Sequence, residues 1–154
     1  MSPSIEVQHV VPSATELAHT LTQFFLHLDR SNYAALLALT HAHFRWHRQG
    51  KMLDGHDDVH AALNQRAVTQ RVAHVITNVA VEDEQPGNTT LGAYMTAYRF
   101  DDGRPLEGPA TIAGPLRLSR VTTRFEAGDR NNAGWRIAEQ VIAPLFQFGT
   151  TDAH

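Results

Sequence analysis

The chain contains no cysteine in its 154 residues. That excludes a disulfide framework, a thiolate nucleophile and a cysteine–zinc site. No apolar run is long enough to span a bilayer. Met1 to Pro12 lacks a basic region followed by a long apolar stretch, so no secretory signal is read there. Basic runs are also missing, and the formal net charge is −3. That balance argues against a nucleic-acid platform and against binding to an anionic membrane. No internal repeat or low-complexity tract occurs. With 42% apolar and 19% charged residues, the composition is globular. A chain of this length can enclose one core and still leave room for a cavity. The expectation is a soluble cytoplasmic protein with no nucleic-acid or membrane partner.

Histidine is in excess, with ten residues. Imidazole titrates near neutral pH, binds metals and moves protons. Most of these histidines are expected on the surface. His56 and His60 have chelating spacing on a helix, but no third ligand is apparent apart from Asp57, so no metal and no cofactor is expected. His43 and His47 point the same way on a strand, too far apart to chelate comfortably.

His74 is different. It lies in Arg71-Val72-Ala73-His74-Val75-Ile76-Thr77-Asn78-Val79-Ala80-Val81, a β-branched apolar run. Side-chain period two puts Val72, His74, Ile76, Asn78 and Ala80 on one face. Polar groups on a buried face need partners. His74 and Asn78 are therefore either a satisfied structural pair or the polar end of a pocket.

Around this strand the pattern reads helices first, then strands. Ser13-Ala14-Thr15-Glu16 fits a capping box, followed by the apolar stripe Leu17, Leu21, Phe24, Phe25, Leu28. A short helix runs from Tyr33 to about Leu39, and a third from His56 to about Gln65. His43 to His47 alternates as a strand, and Lys51 to Leu53 pairs back after the Gln49-Gly50 turn. Long strands follow at Arg71–Val81, Thr89–Phe100, Leu116–Phe125 and Trp135–Phe146. Gly128 to Gly134 is read as a hairpin connection. The organisation expected is an N-terminal arm over 1–12, one domain over 13–148 and a flexible tail over 149–154. The class is α+β, three N-terminal helices packed on a strongly curved mixed, mostly antiparallel sheet. Such a cone has a mouth where a small-molecule cavity forms.

Four stretches carry a family resemblance. Leu28-Asp29-Arg30-Ser31-Asn32-Tyr33 lies at the junction of the first two helices. Phe44-Arg45-Trp46-His47-Arg48-Gln49-Gly50 with Leu53-Asp54-Gly55-His56 forms the first hairpin and opens the third helix. His74-Val75-Ile76-Thr77-Asn78-Val79 matches an H-x-x-T-N strand, and Gly134-Trp135-Arg136-Ile137 a G-W-R-I strand opening. In this order the chain resembles the nuclear transport factor 2-like superfamily, with its cone-shaped cystatin-like fold, and in particular its SnoaL-like branch. The resemblance covers roughly Ser13 to Phe146. It implies a small-molecule pocket, a homodimer, and one of two roles. The first is a cofactor-free isomerase, dehydratase or cyclase acting on a hydrophobic, oxygenated substrate. The second is a non-catalytic binding or assembly module like the small subunit of ring-hydroxylating dioxygenases.

Carried over residue by residue, the resemblance makes His74 the acid–base group. In the dehydratase branch an aspartate late in the first helix orients that histidine. Leu26 is read at its position here, and Phe25 at that of a neighbouring tyrosine. The orienting group must then come from Asn78 or from Glu139, the one acid inside the last strand. Glu139 has a blander reading, as an ion pair with Arg117 or Arg120. Asp29 is read as a cap of the second helix. Tyr94 and Tyr98 are candidate oxyanion donors if their strand face lines the cavity, and aromatic core otherwise. Trp46, beside His47 where the isomerase branch has a carboxylate, is a further candidate substrate contact.

Overall fold

A computed structural model describes residues 12–128 and 134–149. Nearly all of the expected arm, most of the Gly128–Gly134 connection and the end of the tail lie outside the described residues. Ser13 starts the first helix, α1 (Ala14–Asp29), and its hydroxyl accepts the Glu16 N–H at 3.2 Å. This satisfies one of the backbone donors that a helix start leaves free. Leu17, Leu21, Phe24, Phe25 and Leu28 form the buried stripe of α1. Ser31, with φ 56°, turns the chain into α2 (Tyr33–Ala38), whose N-cap is Asn32.

The strands are β1 (Thr40–Arg48), β2 (Lys51–Asp54), β3 (Arg71–Gln85), β4 (Asn88–Phe100), β5 (Arg117–Glu126) and β6 (Arg136–Gln147), with α3 (Gly55–Asn64) between β2 and β3. Gln49 and Gly50, with φ of 51° and 72°, make the tight β1–β2 turn. Two successive positive φ values suit the twist of a two-residue hairpin. The sheet order is β2-β1-β6-β5-β4-β3. Among the described residues, only the β1–β6 pair is parallel. The result is the expected α+β class with a mixed, mostly antiparallel sheet.

The core lies between α1 and the sheet. The Phe24 ring meets Trp46 at 5.3 Å, Phe25 at 5.2 Å and Phe44 at 6.0 Å, each edge to face. Phe24, Phe44 and Trp46 are fully buried. Leu91, Val121 and Phe125 close the floor from β4 and β5.

Two bulges change which residues face this core. Four residues of β3 (Thr77 to Ala80) span three of β4 (Tyr94 to Gly92), and Asn78 takes φ 55° at that point. An extra residue inverts the alternation. Val72, His74 and Ile76 therefore face inward as expected, but Val79 follows them inward and Asn78 is exposed. In β6 the register jumps from Ile137 opposite Phe125 to Glu139 opposite Arg124. Ile137 and Ala138 are both buried, and Glu139 emerges on the outer face beside exposed Val141.

Candidate functional site

A cavity of about 600 Å3 lies between α1, α3 and the sheet, partly open to solvent. Phe25, Leu28, Val72, Met95, Ala97 and Ile142 supply its apolar wall. This volume suits a small organic molecule. His74 joins Val72 on that wall from the first residues of β3, and its ring sits 5.4 Å from the Phe25 ring.

The His74 ring is held by Asp29. Asp29 Oδ1 lies 2.5 Å from His74 Nδ1, and the backbone N–H of His74 donates to Asp29 Oδ2 at 2.9 Å. Both side chains are mostly buried, at 11% and 15% exposure. The geometry follows from the elements. Asp29 ends α1, one turn beyond Phe25, so it continues the i+4 ladder Leu17, Leu21, Phe25 on the core side. β3 is an edge strand, with one row of backbone donors unpaired by any strand. The carboxylate of Asp29 takes one of those donors and the ring N–H together. A carboxylate only accepts, so Nδ1 carries the proton of this bond, and in the neutral ring Nε2 is then the nitrogen with the free lone pair. This is the arrangement of an oriented general base.

Besides His74, the charged groups of the cavity are cationic, and Gln49, Gln65 and Gln70 are its neutral polar residues. Arg48 at the end of β1, Arg66 just beyond α3 and Arg117 at the start of β5 line it, and exposed Lys51 and Arg99 lie at its margin. Arg66 Nη1 donates to the Leu28 carbonyl at 2.9 Å and to the Tyr33 hydroxyl at 3.2 Å. The Arg48 guanidinium stacks on the Trp46 ring, 4.4 Å from its centroid. Burial, reinforced by the charges of Arg66 and Arg117 and opposed by Tyr33, pushes the Arg48 guanidinium down to about 10. Its charge is therefore retained at neutral pH.

A family model for the SnoaL-like domain matches residues 10–141. The chain belongs to the SnoaL-like family. No curated protein matches this SnoaL-like chain in sequence. Among solved structures, it is similar to a nuclear transport factor 2-like protein with a cystatin-like fold from Novosphingobium aromaticivorans, at 18% identity. That match has a TM-score of 0.68 and covers 85% of this chain and 80% of that one. A second protein from the same organism, assigned by name as a scytalone dehydratase, is 15% identical with a TM-score of 0.68, covering 90% and 85%. The β subunit of benzoate 1,2-dioxygenase from Burkholderia mallei is 12% identical with a TM-score of 0.68, covering 88% and 92%. At these identities the likeness establishes the fold.

Of the residues expected at the site of this SnoaL-like protein, the cavity collects only His74. Asn78 is exposed at the β3 bulge, away from the lining. Tyr94, opposite Thr77, is 41% exposed on the outer face of β4, and Tyr98 shares that face opposite Ala73. The cavity side of β4 is Met95, Ala97 and Arg99, the alternate parity. Trp46 is core, and it reaches the cavity only through the arginine stacked on it. Glu139 pairs with His47 Nε2 at 3.3 Å on the outer face, so it neither orients His74 nor bonds Arg117 or Arg120. Arg120 pairs with Glu82.

Asp29 corrects two further expectations. It does not cap α2, whose N-cap Asn32 makes no side-chain cap bond. It also takes the orienting place expected at Leu26, which is 39% exposed. The signal was present in the i+4 ladder. Arg48 was legible too, since it follows Phe44 and Trp46 on the buried parity of β1. His56, one half of the chelating pair on α3, bonds Thr40 Oγ1 at 2.7 Å instead. Among the described residues, no group of three or more His, Asp or Glu side chains is placed to hold a metal ion.

Proposed function

We propose that this protein is a cofactor-free acid–base enzyme, an isomerase, dehydratase or cyclase acting on a small, hydrophobic, oxygenated molecule. The Asp29–His74 pair on the wall of an apolar cavity carries this reading. Nε2 removes a proton from carbon, and Asp29 stabilises the imidazolium that forms. In isomerisation the proton returns to a different carbon. In dehydration it is delivered to the departing hydroxyl, which leaves as water while the C–H electron pair becomes the new double bond. The SnoaL-like domain and the likeness to a protein named for scytalone dehydratase support this reading. The cytoplasm is the proposed compartment.

The test is solvent exchange. A panel of bicyclic ketones such as 1-tetralone is incubated in D2O, and deuterium entering the α carbon is followed by NMR. Wild type is expected to accelerate exchange, and His74→Ala to lower that acceleration by about 100-fold or more. Equal exchange by the two proteins contradicts the proposal.

A second reading has its own support. The fold is shared with a dioxygenase β subunit, and the outer sheet face carries exposed Val75, Tyr94 and Val141. In that reading the cavity holds a ligand without turnover, and the outer face packs on a second copy or a larger enzyme. A homodimer through this face is compatible with both readings. Light scattering at twice the chain mass is the expected result, and a strict monomer removes the assembly version.

A further inference from the structure

The cavity collects positive charge and no negative charge. Arg48 in β1, Arg66 just beyond α3 and Arg117 in β5 line one space, yet among the described residues no aspartate or glutamate lines it. Among the described residues, none of the three makes an ion pair. Their donors are also under-used. Arg117 Nε is buried without a hydrogen-bond partner among the described residues. Arg48 is tied to the face of Trp46, an attraction that occupies none of its N–H groups. Arg66 spends one nitrogen on Leu28 and Tyr33. A guanidinium has five donors in a fixed fork.

Gathering unpaired cations in a half-buried space is unfavourable for folding alone. It becomes favourable when an anion is bound, because each charge and each idle donor then gains a partner. The guanidinium fork matches carboxylate and phosphate geometry. The rest of the cavity decides between them. A free phosphate would leave the apolar wall of Phe25, Leu28 and Met95 without a partner and fill little of the roughly 600 Å3.

We propose that the ligand of this cavity is an organic carboxylate. Its acid group is held by Arg48, Arg66 and Arg117, and its apolar body lies over Phe25, Leu28 and Met95 with His74 on the same wall. This names the substrate class of the site described above and rests on reading that cavity as the substrate site. The arginines bind and orient; they take no part in the proton transfer assigned to His74.

The experiment compares 2-naphthoate with 2-naphthamide, nearly equal in shape and different in charge, by calorimetry at low salt. Wild type is expected to bind the acid at least about ten-fold more tightly than the amide. Arg48→Gln and Arg117→Gln are each expected to reduce that preference to within about three-fold, with near-UV circular dichroism confirming the fold. Should Arg48→Gln fail to fold through loss of its stacking on Trp46, Arg117→Gln and Arg66→Gln carry the comparison. His74→Gln is expected to keep the acid preference, so this outcome is independent of whether His74 is a catalyst. Equal binding of acid and amide by wild type overturns the proposal, as does a preference that survives the arginine substitutions. Inorganic phosphate displacing 2-naphthoate at a lower concentration than the naphthoate itself overturns the carboxylate assignment in favour of a phosphate site.

Discussion

The bond between Asp29 and His74 has a measurable coupling energy. Asp29 accepts two hydrogen bonds, one from Nδ1 at 2.5 Å and one from the His74 backbone at 2.9 Å. A hydrogen bond to a charged group contributes about 1.5–3 kcal/mol. Both side chains keep some solvent contact, at 11% and 15% exposure, and the lower end of that range is taken as a minimum. Asp29→Ala loses both bonds and should cost about 3 kcal/mol. His74→Ala loses the ring bond and the contact with Phe25 and should cost about 2 kcal/mol, but it leaves the backbone bond in place. In the double variant the ring bond is lost once. Its cost should therefore fall short of the sum of the single costs by about 1.5 kcal/mol. Urea unfolding of the four proteins resolves such a difference, and a domain of ordinary stability stays folded in all of them. Additivity within about 0.5 kcal/mol would refute the claim that the two side chains act as one unit.

Two further outcomes follow from the outer face and the bulge. Asn78 sits at φ 55°, exposed, so Asn78→Val should destabilise by about 1–2 kcal/mol in urea unfolding while Asn78→Gly is close to neutral. Neither change should alter ligand binding, and a large binding defect in Asn78→Gly would return Asn78 to the site. Burial raises the Glu126 carboxyl, but hydrogen bonds and charges from Arg124 and His43 outweigh it and hold the group below its ordinary value of 4.5. Its folded pKa is thus the lower one, so its stabilisation is present above the unfolded pKa and is lost as pH falls through the folded one. Glu126→Gln should flatten the acid limb of the stability curve below about pH 4.5; an unchanged acid limb counts against this ion pair.

The fold was legible because its signals are local and periodic. The Ser13 cap, the α1 stripe, the Gln49-Gly50 turn and the long β-branched runs each specify an element without knowledge of the rest. His74 was legible for the same reason, as a polar residue on the buried parity of an apolar strand. What failed was parity propagated past a bulge. Asn78 and Glu139 were placed on faces that one extra residue in β3 and in β6 inverts, and single-strand alternation carries no record of such an insertion. Tyr94 and Tyr98 failed differently. Both parities of β4 are rich in apolar or aromatic residues, and only pairing with β3 and β5 decides which looks inward. Asp29 is visible in the sequence, but its position at a helix break, where aspartate is commonly a cap, points to the wrong role. Its place on the i+4 ladder was the stronger indicator. The arginine cluster could not be assembled from sequence, because Arg48, Arg66 and Arg117 meet only after three elements have packed.

The most direct test of the Asp29-held base is the tautomer of the His74 ring, read by long-range 1H–15N NMR in wild type and Asp29→Asn. In wild type, read at a pH where the ring is neutral, the expected result is a proton on Nδ1 and a bare Nε2. An asparagine amide can donate to Nδ1 and so moves the proton to Nε2. A wild-type ring with Nε2 protonated and Nδ1 bare, or an Asp29→Asn ring unchanged from wild type, would contradict the assignment of Asp29 as the group that holds His74 ready to accept a proton.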